Sequence, residues 1–217
     1  MGAREEILGR IRSALRDIPD DGAAGGAVVD WAYGQPVSTG DLDVLPRFAE
    51  RVADYRAVVV QVDADGVADA VARLLAEAGA ASVVTDGGFP EPWLAGVEGV
   101  GVQLVTDSTL SAAELDGIDA VVTTAAVGIA NTGTIVLDHG PGQGRRAATL
   151  VPDTHVCVVR ADQVVSDVPE AVARLIGDGA STRPLTLISG PSATSDIELD
   201  RVEGVHGPRN LRVVIVQ

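Results

Sequence analysis

The sequence predicts an α/β protein, a largely parallel sheet with helices on both faces, carrying a helical appendage at its N-terminus. Three observations predict it. Short Val-rich runs such as Ala57–Val62 and Leu211–Val216 lack the polar alternation of half-exposed strands, which marks strands buried on both faces. Segments with apolar residues at helical spacing separate these runs, as a crossover-connected sheet requires. The chain has 217 residues and is 46% hydrophobic but only 3% aromatic, enough to bury one core made of Val, Ala, Leu and Ile.

The elements follow in order. Ile7, Leu8, Ile11, Leu15 and Ile18 recur at helical spacing over residues 4–18, with Arg and Asp on the other side. From Pro19 to Gly40 the chain turns to Gly, Asp, Pro and Ser without periodicity, as in an exposed linker. Residues 1–40 are therefore assigned to an N-terminal helix and linker, and residues 41–217 to one α/β domain. Asp43 caps a predicted helix whose Leu45, Phe48, Ala49 and Val52 face inward. Ala57–Val62 reads as a strand. Val67, Val71, Leu74, Leu75 and Ala78 mark a helix stopped by Gly79. Ser82–Thr85, Val102–Val105 and Ala120–Thr123 are further strands, with a helical turn at Ser111–Leu115. Ile135–Asp138 and Val156–Val159 continue the set. Val164, Val165, Val168, Val172, Leu175 and Ile176 define another amphipathic helix, and Leu185–Ser189 and Leu211–Val216 are the last strands. No internal repeat is present, and strand order is not readable from these patterns.

Charge and cysteine usage exclude several functions. All 16 basic residues are Arg, a bias expected of a GC-rich genome, and the net charge is -15. Such a surface repels phosphate backbones and anionic membranes, so neither nucleic acid nor a membrane is an expected partner. The apolar runs are too short to span a bilayer, and Met1–Glu6 lacks both a signal-peptide core and a myristoylation pattern, which points to a cytoplasmic protein. A single cysteine, Cys157, rules out an all-cysteine metal or iron–sulfur site within the chain, and its apolar neighbours make it a core residue. No metal-ligand spacing or cofactor fingerprint occurs, so no cofactor is expected.

Three segments carry candidate chemistry, each expected beyond the carboxyl end of a strand, where open α/β sheets bind ligands. The first is Asn131-Thr132-Gly133-Thr134, for which a turn with Asn131 and Gly133 at positive φ is by itself the favoured reading. The second is Asp138 to Arg146. Gly142, Gln143 and Gly144 open the backbone to a ligand, and Arg145 and Arg146 supply fixed donors for a carboxylate or phosphate. A loop whose arginines pair with surface carboxylates is the plainer alternative. The third runs from Gly190 through Ser192, Thr194, Ser195, Asp196 and Glu198 to His206. Hydroxyls followed by carboxylates cap a helix start, yet the same N-terminus cradles anions. His206, between glycines, is the favoured general acid–base group of the three histidines, ahead of His139 and His155. Asp196 and Glu198 are the other catalytic candidates.

These same motifs resemble the lactate utilization protein C family. The resemblance rests on Asn131–Thr134, Gln143–Ala147, Pro152–Val159, Ile188–Glu198 and Gly204–Pro208, in that order, over roughly residues 40–217. It implies the LUD domain, with a fold similar to ribose-5-phosphate isomerase and CoA-transferase-like proteins. It also implies a part in bacterial oxidation of L-lactate to pyruvate beside two iron–sulfur proteins. It carries over no catalytic residue. One departure stands out: the family often has an acidic residue where this chain has Asn131, so a carboxylate base there would be lost. The resulting expectation is a non-redox subunit or accessory protein of a lactate-oxidising system, with a small-anion site at strand ends. A stand-alone enzyme acting on a phosphorylated or CoA-linked substrate, and a metabolite-binding regulator, are the alternatives.

Overall fold

The computed structural model describes residues 2–16, 35–177, 183–190 and 207–217. The chain divides into two compact units, Met1–Tyr33 and Gly34–Gln217. In the first, helix α1 (Ala3–Ala14) starts where the Gly2 N–H donates to the Glu5 carboxylate at 3.0 Å. Glu5 and Glu6 in its first turn and Arg12 in its last complement the helix dipole. It is shorter than the sequence spacing suggests. None of its residues is buried, and Ile7 and Ile11, with Leu15 just beyond, remain exposed.

The second unit is built on a six-stranded, all-parallel sheet in the order β1 (Val58–Val62), β10 (Asn210–Val216), β7 (Thr154–Arg160), β4 (Ala120–Thr124), β2 (Ser82–Thr85), β3 (Gln103–Thr106). Side-chain alternation sorts its two faces. Val156 and Val158 of β7 and Val214 and Val216 of β10 join Val67, Val71, Leu74 and Leu75 of helix α3 (Val67–Glu77) in one core. Gly79, at φ 69°, ends that helix as its sequence predicts. Cys157 and Val159, with Leu211, Val213 and Ile215, point the other way. There they meet Phe48 and Val52 of helix α2 (Val44–Asp54) and Ile135 and Leu137 of strand β6 (Thr134–Leu137).

This second face departs from the expected helical cover. Much of it lies under a small mixed sheet, ordered β8 (Val164–Val165), β5 (Val127–Ile129), β6, β9 (Thr186–Ile188), in which β6 runs antiparallel to both neighbours. Val164 and Val165 are therefore strand residues. Helix α5 (Val168–Gly177) begins only after them, because the Glu170 carboxylate accepts the N–H groups of Ser166 and Asp167 at 3.1 and 3.2 Å, and Pro169 has no N–H to satisfy. Asp43 occupies the N-cap of α2, but its side chain makes no capping bond. Helix α4 (Ala112–Asp116) is capped reciprocally. The Ser111 hydroxyl accepts from the Glu114 N–H, and the Glu114 carboxylate accepts from the Ser111 N–H at 2.7 Å.

Candidate functional site

The glycine-rich loop after β6 binds an anion, and that anion is the protein's own. The Asp86 carboxylate, just beyond β2, accepts the Gly142 and Gly144 N–H groups at 3.0 and 3.2 Å through one oxygen and the Gly88 N–H at 3.1 Å through the other. Gly142 and Gly144 sit at φ 83° and 67°, and a Cβ on Gly142 would lie 2.9 Å from the Thr124 hydroxyl. The Gln143 side chain is turned back to accept the Asp138 N–H at 2.6 Å. These three residues are thus occupied in shaping the loop.

The paired arginines diverge. Arg145 donates twice to Asp107, from Nε at 2.7 Å and from Nη2 at 3.1 Å, and also to the Leu110 carbonyl. The Asp107 side chain is only 2% exposed, so this pair fastens the loop to the segment after β3. Arg146 takes the other direction and donates to the Thr186 hydroxyl at 2.9 Å. His139, held at φ 54°, completes a directional chain. Its Nδ1 contacts the Gly144 carbonyl at 2.8 Å, and a carbonyl only accepts, so the proton sits on Nδ1. In the neutral ring Nε2 then accepts from the Thr186 hydroxyl at 2.9 Å, while Arg146 donates to the same hydroxyl.

Arg146, Thr186 and His155 line a cavity of about 450 Å³ at the amino ends of β7 and β10, with Thr149 and Ser189 adding hydroxyls. His155 is 1% exposed, and its Nε2 lies 2.7 Å from the Thr123 hydroxyl of β4. Burial depresses its pKa to about 4, so the ring is neutral near pH 7. Among the described residues the arrangement offers one permanent cation, several hydroxyls and a neutral imidazole, a set suited to a small carboxylate. A second cavity, of about 400 Å³, opens at the carboxyl ends of β4 and β7.

The turn Asn131–Thr134 does not lie at the carboxyl end of a strand in the parallel sheet. It joins β5 to β6 in the small sheet. Gly133 has φ 60°, but Asn131 does not take positive φ. The Asn131 amide donates to the Ser38 carbonyl at 3.1 Å and to Asp167 at 3.4 Å. Gly133 packs on helix α2, where a Cβ would come within 2.7 Å of Arg51 backbone. The Thr132 hydroxyl donates to that of Thr134 at 2.8 Å, which in turn shares a proton with Ser189 at 2.8 Å. Thr134 therefore touches a wall residue of the first cavity.

Ser192, Thr194, Ser195, Asp196, Glu198 and His206 fall outside the described residues. Their flanks do not: Gly190 and Gly207 both line the first cavity. Gly190 has φ 82° and packs so closely on Tyr55 that a Cβ would stand 2.5 Å from its Cβ. Sequence reasoning passed over His155. The signal available was strand parity, which puts it on the same face as Cys157 at the entry of β7.

The second unit is an α/β protein built on a parallel sheet, with a glycine-rich loop, an arginine-bearing cavity and a small mixed sheet on one face. Residues 45–216 match the LUD domain family, and the chain belongs to it. It is 48% identical over 185 residues to lactate utilization protein C of Deinococcus radiodurans, covering 85% of this chain and 84% of that protein. It is 30% identical over 176 residues to lactate utilization protein C of Bacillus licheniformis, covering 73% and 72% of the two chains. The crystal structure of a DUF162 family protein from Deinococcus radiodurans superposes with a TM-score of 0.69 at 41% identity, over 84% of this chain and all of that one.

Proposed function

We propose that the protein is a non-redox subunit or accessory protein of a bacterial L-lactate oxidation system, working beside iron–sulfur proteins and holding a small anion in the cavity at Arg146. Family membership and relatives named lactate utilization protein C support the lactate role. The observation that carries the site is the convergence of Arg146, Thr186 and the neutral His155 on one cavity. A monocarboxylate such as lactate or pyruvate fits one guanidinium flanked by hydroxyls. The residues between Gly190 and Gly207, with Ser192, Thr194, Ser195 and the acid–base candidates Asp196, Glu198 and His206, belong in this reading to the same site, because both flanks are in its wall.

Two measurements test the reading. Calorimetric titration with lactate and pyruvate is expected to show binding that Arg146→Ala weakens by about 1.5–3 kcal/mol, the value of a charge-assisted contact. Asp196→Asn and His206→Ala are expected to impair lactate-dependent growth in a complementation assay while both proteins accumulate and stay folded. Full growth with both variants would remove the 191–206 segment from the site. Unchanged affinity in Arg146→Ala would move the anion elsewhere.

A further inference from the structure

The second cavity takes no part in the site proposed above. It stands where the loops leaving two neighbouring strands diverge: β2 leads on to β3 at one edge, and β4 leads through the small sheet to β7 on the other side. Such a divergence opens a crevice at the carboxyl ends of a parallel sheet, the usual ligand position in this kind of fold. At about 400 Å³ the cavity is far larger than a single inorganic ion needs and falls within the range of organic-ligand sites.

Its wall has two characters. Val158, Leu175 and the Trp93 indole form an apolar side. Trp93 is held edge-on against the buried ring of Phe89, with centroids 5.9 Å apart and planes at 72°, so the indole is presented in a fixed orientation. Arg160, Arg174 and Arg183 form the charged side, three guanidiniums in a chain whose net charge is -15. Neighbouring groups hold them in place without enclosing them. Arg160 donates to Asp162 at 3.0 and 3.3 Å, Arg174 donates to the Asp162 carbonyl at 2.7 Å, and Arg183 pairs with Asp138. Asp138 is the one carboxylate among the described residues of the wall. The Gln163 and Gln143 side chains are fixed on backbone groups, so the charged groups of this wall are the three partnered guanidiniums and Asp138.

We propose that this cavity is a second binding site, for a small organic anion whose apolar or planar body lies against Trp93 and whose carboxylate or phosphate head meets Arg160 and Arg174. The guanidinium fork suits either head, so the chemistry is shared and the head is read by experiment. The body separates this ligand from a bare ion and from the compact acid proposed for the first cavity.

Trp93 supplies a local readout, because the only other tryptophan is Trp31. In the Trp31→Phe protein, indole fluorescence is followed during titration with phenyl phosphate, benzoate and inorganic phosphate. Saturable quenching is expected with phenyl phosphate or benzoate, at least tenfold tighter than with inorganic phosphate. Arg160→Gln and Arg174→Gln, checked for folding by circular dichroism and thermal melting, are each expected to weaken it at least tenfold. Arg146→Ala, in the other cavity, is expected to leave it unchanged. The proposal fails if no probe gives a saturable signal, if both folded arginine variants bind as the parent does, or if inorganic phosphate binds as tightly as phenyl phosphate. Loss of the signal in Arg146→Ala would also overturn it, by placing the ligand in the first cavity.

Discussion

The Thr123 hydroxyl has two buried neighbours: it lies 2.7 Å from His155 Nε2 and donates to Cys157 Sγ at 3.6 Å. Both are fully enclosed, and burial drives them in opposite directions. It lowers the His155 pKa from 6.5 to about 4 and, against a weaker opposing bond from Thr123, raises the Cys157 thiol to about 12. The unfolded chain takes up a proton on this histidine below pH 6.5, whereas the folded protein resists it until about pH 4. Stability is therefore full above pH 6.5 and falls as the pH drops toward 4, by roughly 3 kcal/mol at the limit. The carboxyls held below their ordinary values, such as Asp119 and Asp138, keep their contribution until the pH falls below about 4, so they leave this window clear. Denaturant unfolding at pH 7.5, 6 and 5 is expected to show the decline, and His155→Gln is expected to flatten it. The thiol is expected to resist alkylation until the protein unfolds. Arg145 illustrates what sequence cannot show at this scale. Beside Arg146 it reads as an anion ligand, but its partner Asp107 lies 38 positions away, and no local pattern announces that pairing. Arg145→Ala is accordingly expected to cost about 1 kcal/mol or more of stability by stranding a buried carboxylate, with little effect on ligand affinity, the reverse of Arg146→Ala.

At the scale of elements, the strands of the parallel sheet were legible because each holds a short apolar, mostly Val-containing run, and α2, α3 and α4 because their spacing or caps are clear. The small sheet was not. Strand β5 spans three residues and β8 two, too short for any period to develop, and the valines of β8 happen to extend the helical pattern of α5. The loop after β6 reads in sequence as backbone-open to an anion, and in the structure its Gly142 and Gly144 N–H groups meet the chain's own Asp86. Asp86 gathers three N–H groups from Gly88, Gly142 and Gly144, and this internal cradle sets the route from the second cavity toward Arg146. Asp86→Ala leaves those donors unpaired and is expected to destabilise the protein by about 1–3 kcal/mol. Gly88→Ala tests the same junction sterically. Its Cβ would stand 2.7 Å from the Gly142 nitrogen and 2.9 Å from the Pro141 Cα, both backbone atoms that cannot rotate away. A lowered melting temperature together with weakened lactate binding is expected. A wild-type melting curve for Gly88→Ala would mean that the loop does not rest on this contact.

For the whole molecule, physical reading reached the fold, while the family came from motif resemblance: periodicity predicts sheets and helices, but only the ordered set of Asn131–Thr134, Gln143–Ala147 and Ile188–Glu198 singles out a relative. The two kinds of reasoning meet in one prediction. The chain has one cysteine, at 0% exposure in the centre of β7, hydrogen-bonded within the sheet. A cluster held by cysteines needs several accessible thiolates, which this chain does not possess. Nor does its sequence contain a glycine fingerprint for a dinucleotide. In the role proposed above, this subunit binds an anion and iron–sulfur partners carry the two electrons that leave lactate. The purified protein is therefore expected to be colourless, to lack stoichiometric iron and flavin, and to reduce no dye in the presence of lactate. Adding the iron–sulfur partners is expected to restore lactate-dependent dye reduction, and Arg146→Ala to lower that restored rate. Dye reduction by this chain alone, or flavin or iron bound at one per molecule, would assign the oxidation to this subunit and end the accessory reading.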